Sequence, residues 1–301
     1  MTGNFRWLLV LAVTMAAGGP GVASGEIPAT SGPAKGSLVI MGGGGPDRKF
    51  PEIFAKFVEL AGGKKARLVI VPTAAPGEAP RSGAARFARD ELGVAGAVVL
   101  HTRDRAVADS EEFVKPLRAA TGVWFSGGRQ WRLTKAYGGT RTEREFHAVL
   151  ARGGAIGGSS AGATIQGSFL ARGDTGGNTI MIGDVQRGFG FLRNAAIDQH
   201  LIARGRERDL LQVLEDPERR MRPEFRRADL LGIGIDEDVA LVVRGAACEV
   251  IGKDGGAVLI YDPRKWTPET PDEKKWITVR TGGRYDLKRR RVVESPPEAA
   301  P

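Results

Sequence analysis

The chain has 301 residues, 42% of them hydrophobic and 26% charged, with one cysteine, three histidines and a formal net charge of +9. That balance belongs to a globular chain of one large or two small domains, neither disordered nor fibrous. A single cysteine excludes an intramolecular disulfide, and three histidines beside it make a poor basis for a zinc site.

The first residues read as a secretory signal: Arg6 is the only charge before the apolar run Trp7–Ala17, and Val22-Ala23-Ser24 offers small residues for cleavage. The run is too short to span a bilayer comfortably, and no cysteine near the cleavage point supports a lipid anchor. Cleavage of residues 1–24 leaves 277 residues carrying +8, because Arg6 is the only charge removed. The expectation is a secreted or periplasmic protein without a membrane segment after cleavage, with a linker over residues 25–36, one domain over 37–293 and a disordered Pro/Glu/Ala tail over 294–301.

From Leu38 onward, short apolar runs alternate with amphipathic stretches. Leu38–Met41, Leu68–Val71, Val98–Leu100, Val123–Phe125 and Ala155–Ile156 read as buried strands. Phe50–Leu60, Ala84–Leu92, Glu111–Ala119 and Thr142–Leu150 read as the helices between them. Such alternation implies an α/β fold, a mainly parallel sheet with helices on both faces and every strand's carboxyl end along one edge. The pattern then loosens. A short strand over Thr179–Ile182, a helix from Leu201 to about Leu214 and strands over Leu231–Asp236 and Val239–Val243 are expected. Cys248–Ile251 and Ala257–Tyr261, joined by Lys253-Asp254-Gly255-Gly256, read as a C-terminal β-hairpin. Cys248 in such a strand is a buried inert thiol.

The chemistry concentrates at Gly157-Gly158-Ser159-Ser160-Ala161-Gly162-Ala163, directly after Ala155-Ile156. A buried strand that feeds small residues, a serine and then helix formers builds a sharp strand-to-helix turn. The turn exposes Ser160 beside the free N–H groups of a helix start, where an oxyanion would sit. A serine needs a base and a group to orient it. His200, in Ala195–Leu201 at a strand-to-helix junction, ranks first, His101 is the fallback, and His147 lies inside a helix. For the acid, Asp236-Glu237-Asp238 at a strand end competes with Asp174 and Asp184. Gly42–Gly45 lacks the spacing of a dinucleotide-binding turn and reads instead as backbone lining the cleft.

Four segments in register resemble one family: Gly157–Ala163, Phe125–Gln130, Asp198–Leu201 with Arg204-Gly205-Arg206, and Gly232–Glu237, with forty residues from Ser160 to His200. Together they resemble the cyanophycinase-like branch of the S51 serine peptidases, over roughly Ser37 to Val243. The resemblance implies a three-layer α/β/α sandwich like that of class I glutamine amidotransferases, spanning 37–293 here. It implies a serine-type exopeptidase without cofactor or metal, in which Ser160 is the nucleophile, His200 the base and Glu237 the orienting acid. The backbone N–H of Ala161 and one from Gly127 or Gly128 would form the oxyanion hole. Gln130, Asp198, Gln199, Arg204 and Arg206 would line the substrate pocket. Cyanophycinases cut a polymer with a poly-aspartate backbone and arginine on each side-chain carboxylate. The implied substrate is that polymer or a related Asp-containing (iso)peptide, with Arg204 and Arg206 pairing carboxylates and Asp198 a guanidinium. The pattern also carries a third arginine further along this helix. Here Asp209 stands in its place, with Arg208 one position early. Relatives are often dimers, so a homodimer is allowed.

Two other readings stand beside this one. A relative of the aspartyl dipeptidases would hydrolyse small peptides or amides, and a binding protein would keep the fold without turnover. Nucleic acid is not expected as a partner, since the basic surface comes without a recognition motif.

Overall fold

The computed structural model of the chain describes Met1 and residues 30–44, 50–77 and 83–294. The expected signal peptide after Met1 and residues 295–301 of the expected tail lie outside them. In chain order the elements are β1 (Ser37–Met41), α1 (Phe50–Leu60), β2 (Arg67–Val71), α2 (Gly83–Asp90), β3 (Gly96–Val99), α3 (Arg105–Ala108), α4 (Glu111–Arg118) and β4 (Gly122–Phe125). Then follow α5 (Gln130–Tyr137), α6 (Arg141–Ala151), β5 (Ala155–Ser159), α7 (Ala161–Thr164), β6 (Gly167–Phe169), β7 (Leu192–Gln199) and α8 (Asp209–Glu215). Seven strands follow: β8 (Leu231–Ile235), β9 (Val239–Arg244), β10 (Ala247–Gly252), β11 (Ala257–Tyr261), β12 (Ile277–Arg280), β13 (Arg284–Asp286) and β14 (Arg291–Glu294).

The expected parallel strands form one half of a nine-stranded sheet, in the order β14-β13-β10-β9-β1-β5-β4-β2-β3. β1, β5, β4, β2 and β3 run parallel, and β9, β10, β13 and β14 extend the sheet antiparallel from β1. Alternation along β1 sends side chains to both faces. Val39 and Met41 pack with Phe54, Phe57 and Ala88 of α1 and α2. Leu38 and Ile40 pack on the opposite face with Val114, Leu133 and Phe146 of α4, α5 and α6. The α/β/α sandwich follows from that division.

A second sheet, β12-β11-β8-β7-β6, was not foreseen. Ile197, Ile233 and Val258 from it join the core on the α4–α6 face of the first sheet, and its other face is covered by α8 through Leu210, Val213 and Leu214. The expected C-terminal hairpin is thereby corrected. β10 pairs β9 and β13, whereas β11 pairs β8 and β12 in the other sheet. The two-residue turn Gly245-Ala246 closes β10 onto β9, so Lys253–Gly256 carries the chain between sheets. Thr179–Ile182 forms no strand, and the expected helix 201–214 is a 3-10 turn over Ile202–Arg204 followed by α8. Part of the expected linker is docked: Thr30 is fully buried, and Ser31 and Gly32 hydrogen-bond the backbones of Arg193 and Gly245.

Candidate active site

The site sits where the two sheets meet. β1 ends at Met41, and Gly42 and Gly43 then stitch the sheets together: Gly42 accepts from the His200 N–H at 2.9 Å, and Gly43 accepts from the Asp238 N–H at 2.7 Å. The glycine at 43 is obligatory, since its φ is +137° and a Cβ would lie 2.2 Å from the His200 ring. The expectation of a backbone loop lining the cleft is met at these two residues; Gly45 is outside the described residues.

β5 delivers Ser160. Its φ of 56° and ψ of −115° are strained for a side chain larger than hydrogen, as a sharp strand-to-helix turn demands. The Ser160 N–H is held by the Met41 carbonyl at 3.0 Å, and α7 begins at the next residue. Ser160 Oγ lies 2.8 Å from His200 Nε2 and 3.4 Å from Gln199 Oε1. His200 Nδ1 lies 2.5 Å from Glu237 Oε1. With Nδ1 protonated and donating to Glu237, Nε2 is free to accept the serine proton.

Burial lowers the pKa of His200 below the ordinary imidazole value, and the Arg204 charge lowers it further, while Glu237 opposes both. Ser160 and His200, which face each other, hold positive φ of 56° and 54°.

The competing candidates lie elsewhere. His101 bonds Thr73, which in turn bonds Tyr137, and His147 bonds the Phe189 carbonyl. Asp236 is taken by Lys253 and the Ala203 N–H, Asp174 accepts from Gly176, and Asp184 from Thr175.

For the expected oxyanion hole, Ala161 opens α7, where a first-turn N–H has no partner within the helix. Gly127 lies against the serine: a Cβ built there would be 3.8 Å from Ser160 Oγ. Gly128 holds φ +140° under the Ala74 carbonyl, which leaves no room for a side chain.

Three of the expected pocket residues contact the relay or its neighbours and two are held elsewhere. Gln199 is beside the hydroxyl. Arg204, with a half-exposed side chain, places Nε 3.9 Å from Glu237, and Arg206 donates to the Gln199 carbonyl at 3.3 Å. Gly205, in the left-handed region at φ 59°, breaks the helix between them, so both can turn toward the cleft. Asp198 is corrected: it is fully buried and held by Arg172, Nε to Oδ1 at 2.9 Å and Nη2 to Oδ2 at 3.1 Å, instead of awaiting a substrate cation. Gln130 is corrected too. Its side chain is fully buried, with Nε2 donating to the Ala171 and Arg172 carbonyls at 2.8 and 3.0 Å. Arg172 itself was missed, because a lone arginine in a Gly/Asp-rich loop carries no periodic signal. The substitution of Asp209 for an arginine was the available clue: Arg172 also donates to Asp209.

No group of three His, Cys, Asp or Glu among the described residues is arranged to hold a metal, and no described helix is long and apolar enough to cross a membrane.

Residues 38–251 match the pattern of Peptidase family S51. The cyanophycinase of Nostoc sp. (strain PCC 7120) is 31% identical over 240 residues, covering 77% of this chain and 76% of the relative. That of Geminocystis herdmanii is 31% identical over 236 residues, covering 76% and 81%. Among solved structures, a peptidase from an acI-B1 Actinobacterium superposes with a TM-score of 0.58 at 24% identity, over 84% of this chain and 97% of that one, a likeness of fold.

Proposed function

This chain belongs to peptidase family S51 and is a serine-type peptidase, and from that premise we propose that it hydrolyses Asp-containing peptides or isopeptides, cyanophycin-like polymers among them, as an exopeptidase using Ser160, His200 and Glu237. The observation that carries the proposal is the relay itself, Ser160 Oγ on His200 Nε2 and His200 Nδ1 on Glu237, built on a strained turn at the start of a helix. His200 takes the proton as Ser160 Oγ attacks the scissile carbonyl. The oxyanion of the tetrahedral intermediate is received by the Ala161 N–H and one from Gly127 or Gly128. His200 then protonates the leaving amine, which departs to give an acyl-enzyme. A water activated by the same imidazole releases the acid and regenerates the serine. Arg204, exposed, and Arg206, half-buried, supply charge-assisted partners for a substrate carboxylate.

The test is Ser160→Ala with unchanged circular dichroism, assayed on an aspartyl peptide panel and on cyanophycin. Turnover is expected to fall by about 10⁶, and labelling by a serine-directed fluorophosphonate to disappear. Retained activity removes the serine mechanism. Export is proposed from the Arg6 and Trp7–Ala17 leader. An N-terminus at or near Gly25 on protein recovered from an exporting host is the expected result.

A further inference from the structure

We propose that Arg172 is a specificity-determining residue: it seats its own guanidinium on Asp198, so that the pocket beside Ser160 recognises substrate carboxylates and gives no advantage to a substrate guanidinium. The inference rests on the peptidase reading above and narrows its substrate class.

Every nitrogen of the Arg172 fork is engaged. Nε and Nη2 take the two oxygens of Asp198, Nη2 also meets Asp209, and Nη1 donates to the Asn178 carbonyl at 3.1 Å. The side chains of Arg172 and Asp198 are 4% and 0% exposed, so no solvent-facing position on that carboxylate remains. The backbone beneath is fixed as well. Arg172 is left-handed at φ 55°, and the buried Gln130 amide clamps its carbonyl together with that of Ala171. A strained residue held in place by a buried partner is a positioned one. The other acid at the centre, Glu237, is occupied by His200.

The cations are disposed the other way. The Arg204 side chain is 47% exposed, and burial holds the pKa of Arg206 down, with the nearby Arg172 and Arg204 charges adding to it. An incoming guanidinium therefore meets acids already held by Arg172 and His200, while an incoming carboxylate meets Arg204, 3.9 Å from Glu237, and Arg206, held by the Gln199 carbonyl.

The experiment uses two aspartate oligomers whose side-chain carboxylates are amide-linked to arginine or to norvaline. The second keeps the alkyl chain and the free α-carboxylate and deletes the guanidinium. Wild-type enzyme is expected to cleave the two with kcat/KM within about twofold of each other. Arg172→Gln, normalised by fluorophosphonate titration of the serine, is expected to shift the ratio tenfold or more toward the arginine form. Should that variant fail to fold, wild-type competition decides: succinate should inhibit, and agmatine should not at tenfold higher concentration. A tenfold wild-type preference for the arginine oligomer, an unchanged ratio in folded Arg172→Gln, or agmatine competing as well as succinate overturns the proposal. If wild type cleaves neither oligomer, calorimetric titration with both separates the two readings. Equal affinities would keep Arg172 in this role while the peptidase reading fails, and tenfold tighter binding of the arginine form would remove it.

Discussion

At the Ser160 hydroxyl, His200 Nε2 at 2.8 Å is the better placed of two acceptors, with Gln199 Oε1 at 3.4 Å. Proton transfer on the proposed route needs His200 neutral. Because burial and Arg204 lower the pKa of His200, its neutral form persists to more acid pH than that of a free imidazole. The acid limb of kcat/KM is therefore expected below the ordinary imidazole range. Arg204→Gln removes one lowering charge, so the limb should move up. A pH profile on an uncharged ester measures this, and a downward move contradicts the assignment. Glu237→Gln should cost about 10⁴ in kcat by analogy with other triads, whereas Asp174→Asn should be near neutral. The reverse pattern in steady-state rates would transfer the acid's role to the Asp174 loop.

At the level of elements, reactivity depends on how tightly β5 can turn into α7. A Cβ on Gly162 would sit 2.1 Å from the Phe125 carbonyl, and one on Gly158 would sit 2.4 Å from the Gly162 carbonyl. Small residues on both sides of the serine are therefore a packing requirement of the turn. Gly162→Ala should push α7 away from β4, lowering stability by roughly 1–3 kcal/mol and displacing the Ala161 N–H from the serine. A denaturant midpoint and kcat measured on the same variant check both effects; a stable variant with full activity would show that the turn has slack. The helix after His200 illustrates a different dependence. One helix was expected from Leu201 to about Leu214, but the backbone breaks at Gly205, which removes the roughly 200° separation that an ideal helix would impose on Arg204 and Arg206.

Across the whole molecule, distant parts of the chain are tied by buried charge. Arg290, 2% exposed, reaches Asp262, the Thr30 hydroxyl and the Asp229 carbonyl, joining the docked N-terminal segment to the second sheet. Arg290→Ala leaves the buried Asp262 to Arg264 alone and takes a donor from Thr30 and the Asp229 carbonyl, and should cost about 1–3 kcal/mol in urea unfolding. kcat should be unchanged for the folded fraction, since none of these groups touches Ser160, His200 or Glu237. The sequence alone determined what local patterns encode. Runs such as Leu38–Met41 and Leu68–Val71 required buried parallel strands, the small residues around Ser160 required a sharp turn, and four segments in register pointed to Ser160, His200 and Glu237. It left the second sheet hidden, because β7 mixes polar and apolar residues over Leu192–Gln199 and a strand's choice of partner is a non-local matter of burial. The same limit explains Asp198, Gln130 and Arg172. Residue type says that an aspartate can hold a guanidinium, but only the packed fold decides whose guanidinium arrives first, and here the chain supplies its own.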